Sequence, residues 1–125
     1  MSQVFDFGGW LPASSWRVYA KGSDIVIPAK TWVLGDEHPD SINDAAMAVK
    51  IAKPDAKTAD IVDYPASFHN GACGFSYADG HSEIHKWIGS KIKAPVKNTG
   101  MSLNVPAGDS VKDIIWWSDN TTVAR

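Results

Sequence analysis

Residues 68–87 read FHNGACGFSYADGHSEIHKW, and the organisation of the chain is clearest from this stretch. Apolar and polar residues alternate on both sides of Asp79-Gly80. A two-residue Asp-Gly between alternating runs is a strong hairpin signal, because both central residues of the favoured turn need positive φ. The sequence therefore predicts two antiparallel strands joined by a turn at Asp79-Gly80.

The position of this turn also predicts a register for the hairpin. With Asp79-Gly80 as the two turn residues, Phe75 faces Ile84 across the strand pair. Alternate side chains of a strand point to opposite faces of the sheet. One face is predicted to carry Cys73, Phe75, Tyr77 and Ile84. The other face is predicted to carry Gly74, Ser76, Ala78, His81, Glu83 and His85. This second face is either a solvated polar surface or a place where something binds.

Composition indicates a single domain. The chain has 125 residues, of which 44% are hydrophobic, enough for one core and too few for two. Its net charge of -2 and pI near 6.0 favour neither a nucleic acid nor a membrane surface as partner. The single cysteine, Cys73, excludes an intrachain disulfide, and at an inward strand position we expect it to be a small buried hydrophobe.

The first half of the chain predicts one central strand between irregular segments. Residues 1–15 are expected to form an irregular lead-in segment pinned by Phe5, Phe7 and Trp10. Residues 30–34, KTWVL, are β-branched and aromatic and predict a strand buried on both faces. An acidic loop follows at residues 36–44.

The remaining elements are predicted to be short. Residues 45–51, AAMAVKI, favour a strand or a short helix, and residues 59–64 favour a short edge strand. Residues 88–111 contain two prolines and three glycines and predict a long ordered loop, and residues 113–117 predict a helical turn or a short strand. The predicted class is α+β, a small single domain with a three- to five-stranded antiparallel sheet, long ordered loops and little helix.

Three stretches of the chain resemble one protein family. His69, nine further residues and then Asp79-Gly80 are similar to the signature of the prepilin-type processing-associated domain. That domain is the C-terminal part of many type II secretion-like pseudopilins from planctomycete and verrucomicrobial bacteria. Residues 31–44, TWVLGDEHPDSIND, resemble its strand and acidic loop, and residues 103–109, LNVPAGD, resemble its tail. The resemblance extends over most of the chain from about Trp16 onward.

The resemblance implies a pseudopilin-like globular domain over residues 1–125, which serves as an assembly or interaction module of a type II secretion or pilus-like system. The implied partners are other pseudopilin subunits or secretion-system proteins, and the parent family resides in the inner membrane, the periplasm or at the cell surface. The family pattern also includes a processed N-terminal apolar helix, which this sequence lacks. We therefore expect this form to be soluble, without membrane contact, and unable to enter a pilus by the usual route.

Two acidic-x-His pairs, Asp36-x-His38 and Asp79-x-His81, each follow a predicted strand. If those strand ends converge, they offer the mixed nitrogen and oxygen donors that suit zinc. The ligands would be Asp36, His38, His69, Asp79 and His81. Glu37 or Glu83 would then act as the catalytic base of a small metal-dependent hydrolase. Calcium is the alternative ion, which the family resemblance implies and which the oxygen-rich loop 36–44 would suit.

The same residues also allow interpretations without a metal. His69 bonded to Asp79 would brace the hairpin, and the acidic loop would cap a helix that begins at Asp40 or Ser41. Six tryptophans in the chain permit a further alternative, a carbohydrate-binding module with Trp116-Trp117 as the stacking surface. Nucleophilic catalysis is poorly supported, since the chain has no Gly-x-Ser-x-Gly elbow.

Overall fold

The structure, a computed structural model, describes residues 1–6 and 9–125, so the predicted anchor Phe7 lies outside the described residues. The strands in the described chain are β1 (Trp32–Gly35), β2 (Asp60–Ile61), β3 (Ala72–Tyr77), β4 (Ser82–Lys86) and β5 (Val105–Pro106). Its α-helix, α1, is Val111–Asp119, and short 3₁₀ turns lie at Gln3–Phe5, Gly22–Asp24, Pro28–Lys30 and Gly108–Ser110. The predicted α+β class with little helix is confirmed.

Two antiparallel sheets make up the strand content of the described residues. The larger sheet has the order β1-β3-β4, and the smaller one pairs β2 with β5. No helix among the described residues is long and apolar enough to cross a membrane.

The predicted hairpin is present, but its predicted register is wrong by one residue. Phe75 lies opposite Glu83, where the two-residue turn would have placed Ile84. The reason is that the loop contains three residues: the Tyr77 N–H donates to the His81 carbonyl at 2.9 Å, and only Gly80 in the loop has positive φ, at 94°. A tight turn followed by one left-handed glycine is the usual three-residue hairpin connection.

This one-residue shift exchanges the faces of β4. Glu83 and His85 lie on the inner face with Phe75, and Ile84 lies on the outer face. The predicted polar face that combined Glu83 and His85 with Gly74 is therefore wrong, because a single-residue slip reverses every side chain of a strand.

The inner face of the larger sheet packs against α1 through aromatic rings. Trp32 contacts Phe75 and Trp117 at centroid distances of 5.5 and 5.8 Å, and Trp87 contacts Phe75 at 6.0 Å. Gly35 lies where the ring of Phe75 crosses β1, and a Cβ at that position would approach the ring to 2.7 Å. Cys73 is buried in the same core, as expected, and burial raises the pKa of its thiol to about 12.

The start of α1 holds the segment that follows β4. The Asp113 carboxylate accepts the N–H groups of Ile88 and Gly89, both at 2.8 Å. Asp109 accepts the Ser90 hydroxyl at 2.6 Å and the N–H groups of Lys91 and Ser90 at 2.9 and 2.8 Å, and these bonds hold the pKa of Asp109 well below its usual range. The predicted terminal anchor is therefore a helix fastened directly to the end of the hairpin.

The other predicted elements are shorter than expected. Residues 45–51 form neither a regular strand nor a helix, and Met47 makes only an isolated bridge to Ser2. In residues 59–64, only Asp60–Ile61 are paired, with β5. The predicted long loop 88–111 is irregular apart from β5, a 3₁₀ turn and Val111, the first residue of α1.

Candidate functional site

The structure places the predicted metal ligands in three separate positions. Asp36, at the end of β1, and His69, before β3, come together, with 3.9 Å between Oδ2 and Nε2 and both side chains exposed. His38 is fully buried, away from solvent. Asp79 and His81 contact each other in the hairpin loop. The five residues therefore do not form one cluster: Asp36 and His69 form an exposed pair, His38 is buried alone, and Asp79 contacts His81.

Both ring nitrogens of His38 are engaged by the backbone. Its Nδ1 accepts the Asp40 N–H at 3.1 Å, and its Nε2 donates to the Ala94 carbonyl at 3.0 Å. The Asp40 carboxylate in turn accepts the Lys97 N–H at 2.8 Å. Because a metal ligand needs a free ring nitrogen, His38 acts here as a structural link between the acidic loop and residues 94–97.

The hairpin loop contains a closed polar network. The Asp79 carboxylate accepts the His81 N–H at 3.1 Å and contacts His81 Nδ1, and these bonds lower the pKa of Asp79. The His81 ring stacks on Tyr77 with centroids 4.3 Å apart, and the Tyr77 hydroxyl donates to Glu83 Oε1 at 2.7 Å. Asp79 therefore braces its own loop, and the expected bond between His69 and Asp79 is wrong.

The Asp36–His69 pair and the hairpin loop lie at different ends of β3. The Asp36 N–H contacts the Gly74 carbonyl, whereas the loop begins after Tyr77. Three strand residues span about 10 Å, which is too far for side chains at the two ends to share one ion. Across residues 1–6 and 9–125, no group of three or more His, Cys, Asp or Glu side chains is placed to hold a metal ion.

The carboxylate oxygens of the acidic loop, residues 36–44, accept hydrogen bonds from separate neighbouring groups. Asp44 accepts the Ala46 N–H at 2.7 Å, and Glu37 accepts the Ser41 hydroxyl at 3.2 Å. Residues 39–41 form a turn, so the expected helix start at Asp40 or Ser41 is absent there. The loop is tied to its surroundings rather than folded around a single cation.

Glu37, one of the two predicted bases, has an unusual environment. Its half-burial and the nearby charge of Asp63 raise its pKa to about 7. Asp63 is itself buried and accepts the Ala48 N–H at 2.7 Å, and burial raises its pKa as well. Glu37 can therefore exchange a proton near neutral pH, but the groups around it are Ser41 and Asp63 and not the predicted metal ligands. The other predicted base, Glu83, accepts a hydrogen bond from the Tyr77 hydroxyl.

His85 is a notable inner-face residue that the predicted register had placed on the other face. Its ring stacks on Trp116 with centroids 3.3 Å apart and 5° between planes, and burial lowers its pKa. Trp117 is buried beneath the sheet. The predicted carbohydrate platform Trp116-Trp117 is thus occupied from within the domain. A three-residue loop in the sequence prediction would have placed His85 inward.

The outer face of the larger sheet is exposed beside the Asp36–His69 pair. We use this name for the sheet face that points away from α1, which contains Leu34, Gly74, Ser76 and Ile84. Leu34 lies opposite Ser76, and Gly74 lies opposite Ile84. Leu34 is 56% exposed and Ile84 is 68% exposed. The four residues line a shallow groove with Asp36, whose Oδ2 lies 3.5 Å from the position of a Cβ on Gly74.

The two edges of this sheet differ in whether other segments of the chain form backbone hydrogen bonds with them. On the β1 edge, the Val33 carbonyl accepts the Ser2 N–H at 2.8 Å, and the Trp32 N–H donates to the Asn120 carbonyl at 3.0 Å. On the other side, β4 pairs only with β3 among the described strands, and all of its residues except the half-buried His85 are exposed. The open face and the open edge meet at Ile84.

Comparison with known proteins adds no relative: no family model, curated protein or solved structure matches the chain. The resemblance to the pseudopilin domain therefore stays a prediction from the sequence motifs.

Proposed function

We propose that this domain is an interaction module that associates with other subunits of a pilus-like or type II secretion system. The docking surface is the outer face of the larger sheet. The observation that carries the proposal is the exposure of two large aliphatic side chains, Leu34 and Ile84, on a sheet face that the described chain leaves uncovered. The motifs at His69 and Asp79-Gly80 supply the class of partner, through their resemblance to pseudopilins.

The chemistry of the outer face suits protein contact. Complete burial of a fully exposed aliphatic side chain is worth about 1.5–3 kcal/mol, and Leu34 and Ile84, at 56% and 68% exposure, retain much of that area for a partner to cover. Gly74 and Ser76 lie between them and leave room for a partner's side chain to approach the backbone. Asp36 and His69 stand at the rim, where interfaces usually carry polar groups.

Site-specific photocrosslinking in the native cell tests the proposal. A photoreactive amino acid at Leu34 is compared with the same amino acid at Val26, which is similarly exposed, at 51%, but lies outside the sheet. We expect Leu34 to form discrete adducts that mass spectrometry identifies as pilin-like subunits, and Val26 to form none. The proposal is overturned if Leu34 forms no adducts, or if both positions form the same ones.

A further inference from the structure

The backbone of β4 offers hydrogen bonds on its open edge. The Trp87 N–H donates to the Gly71 carbonyl at 3.0 Å, and the Tyr77 N–H donates to the His81 carbonyl at 2.9 Å. These bonds fix which residues face β3, because successive residues of an antiparallel strand direct their backbone groups to alternate sides. The odd-numbered residues bond to β3. The residues whose N–H and C=O groups point outward are therefore Ser82, Ile84 and Lys86.

We infer that a second copy of this chain pairs with this edge, β4 against β4, in an antiparallel register centred on Ile84. The two three-stranded sheets then form one six-stranded sheet. The inference deepens the proposed function by naming the partner at one edge of the same sheet, and it rests on that function in treating the sheet as an assembly surface.

The register centred on Ile84 is self-complementary. A two-fold axis there makes the two Ile84 residues a hydrogen-bonded pair, as their outward backbone groups require. It places Glu83 of each copy opposite His85 of the other, and Ser82 opposite Lys86. Every residue of the five-residue strand has a partner, and no two like charges stand opposite each other.

Neighbouring registers are less favourable because of their charges or their overlap. Centring the pair on Glu83 sets two glutamates directly opposite, and centring it on Lys86 sets two lysines opposite, which destabilises a strand pair. A centre at Ser82 runs the partner into the hairpin loop. A centre at His85 places Ile84 opposite Lys86 and leaves Ser82 opposite a residue beyond β4.

Pairing at this edge also extends the outer face. The two Ile84 side chains come side by side in the middle of the combined outer face, and one Leu34 lies on each side of them, beyond Gly74 and Ser76. Because an edge of five residues is short, the interface is small, and small interfaces are typically weak. We therefore expect the dimer to depend on protein concentration.

Thiol crosslinking tests the register. In Ile84→Cys, the paired Cα atoms would lie about 5.5 Å apart, so a short bis-maleimide should give a covalent dimer. The control is Ile88→Cys, which is 71% exposed but lies beyond β4. In the same register, its two copies would be roughly 26 Å apart, so it should give no covalent dimer. The wild type should form no covalent dimer, since Cys73 is buried. Equal dimer yields for the two variants, or no dimer from Ile84→Cys, would overturn the inference.

A proline variant tests the backbone bonds independently. The Ile84 N–H faces away from β3, so Ile84→Pro removes no bond within the chain and is expected to keep the wild-type melting curve. It should abolish the concentration-dependent dimer in sedimentation experiments, and a dimer that survives in a folded Ile84→Pro variant contradicts the inference.

The two crosslinking experiments distinguish failure of this inference from failure of the proposed function. If Leu34 still crosslinks to pilin-like subunits while Ile84→Cys gives no covalent dimer, the edge pairing is wrong and the proposed function stands. If Ile84→Cys dimerises and Leu34 forms no adducts, the proposed function is wrong and the edge pairing stands.

Discussion

The inner and outer faces of the larger sheet are built from alternating residues of the same strands, but they have opposite surroundings. On the inner face, Phe75 is enclosed by the rings of Trp32 and Trp87, and His85 is covered by Trp116. On the outer face, Ile84, the immediate neighbour of His85, is mostly exposed. The difference teaches that one strand contributes both to the core and to a free surface, so stability and association can be tested by separate substitutions.

The largest expected effect comes from removing an inner-face ring. Phe75→Ala should lower the free energy of unfolding by about 3–5 kcal/mol, because it removes a large buried side chain and leaves a cavity. Leu34→Ala on the outer face is the matched control and should change it by less than about 0.5 kcal/mol. Urea unfolding of both variants measures the two values. Similar losses in the two variants would show that the outer face is covered within the domain.

A side chain at Gly89 should disturb the contact between the start of α1 and the end of the hairpin. A Cβ at Gly89 would lie 2.2 Å from Ser110 Oγ and 2.7 Å from the Asp109 carbonyl, so the start of the helix has to move. We expect Gly89→Ala to cost about 2–3 kcal/mol, a typical value for overpacking. Thermal and urea unfolding measure this loss.

The control for this prediction is Gly100→Ala. A Cβ at Gly100 meets nothing within 4 Å and its φ is not in the left-handed region, so stability should be nearly unchanged. If Gly89→Ala is as stable as Gly100→Ala, the helix is not held as tightly against the end of the hairpin as these distances indicate.

The two faces should also differ in their response to pH. Burial against Trp116 lowers the pKa of His85 in the folded state, so the unfolded chain binds this proton more readily. Stability from this residue is therefore complete above the unfolded pKa near 6.5 and declines as pH falls towards the folded pKa. His85→Gln should remove this decline and should also cost about 0.5–1.5 kcal/mol at every pH through the lost stacking.

His69, at the exposed rim of the outer face, provides the comparison for His85. His69→Gln changes an exposed side chain and should leave the free energy of unfolding at pH 7 within about 0.5 kcal/mol of the wild-type value. The measurement is urea unfolding between pH 5 and 7 for the wild type and both variants. An unchanged slope in His85→Gln would mean that the acid response comes from other groups.

The parts of this fold that follow from local chemistry were predictable from sequence, and the details set by one residue of loop geometry were not. Asp79-Gly80 correctly predicts a hairpin, and the apolar run around Trp32 correctly predicts a strand. The expectation that this strand is central and buried on both faces is wrong, because β1 is at the edge of its sheet and Leu34 is exposed. Two-residue and three-residue loops share the Asp-Gly signal, however, and the choice between them decides which way His85 points. Nothing in residues 68–87 alone distinguishes the two.

The candidate ligands were harder to predict because convergence depends on tertiary distance. Asp36-x-His38 and Asp79-x-His81 look equivalent in sequence, but His38 turns inward to bond the backbone at Ala94. The acidic loop was also misleading, since a carboxylate that accepts a nearby N–H has the same sequence pattern as one that holds an ion. Contacts between segments far apart in sequence decide between these roles.

The smallest expected effect concerns metal at the rim of the outer face. Asp36 and His69 are the two predicted ligands from different segments that come within 4 Å, and two exposed side chains bind an ion weakly. We therefore expect elemental analysis of the purified protein to find no stoichiometric zinc or calcium, and added zinc or calcium to leave the melting temperature unchanged. His69→Ala should behave like the wild type in both measurements. Stoichiometric zinc that is lost in His69→Ala would instead favour the hydrolase alternative and would make the outer face a binding site for a small substrate.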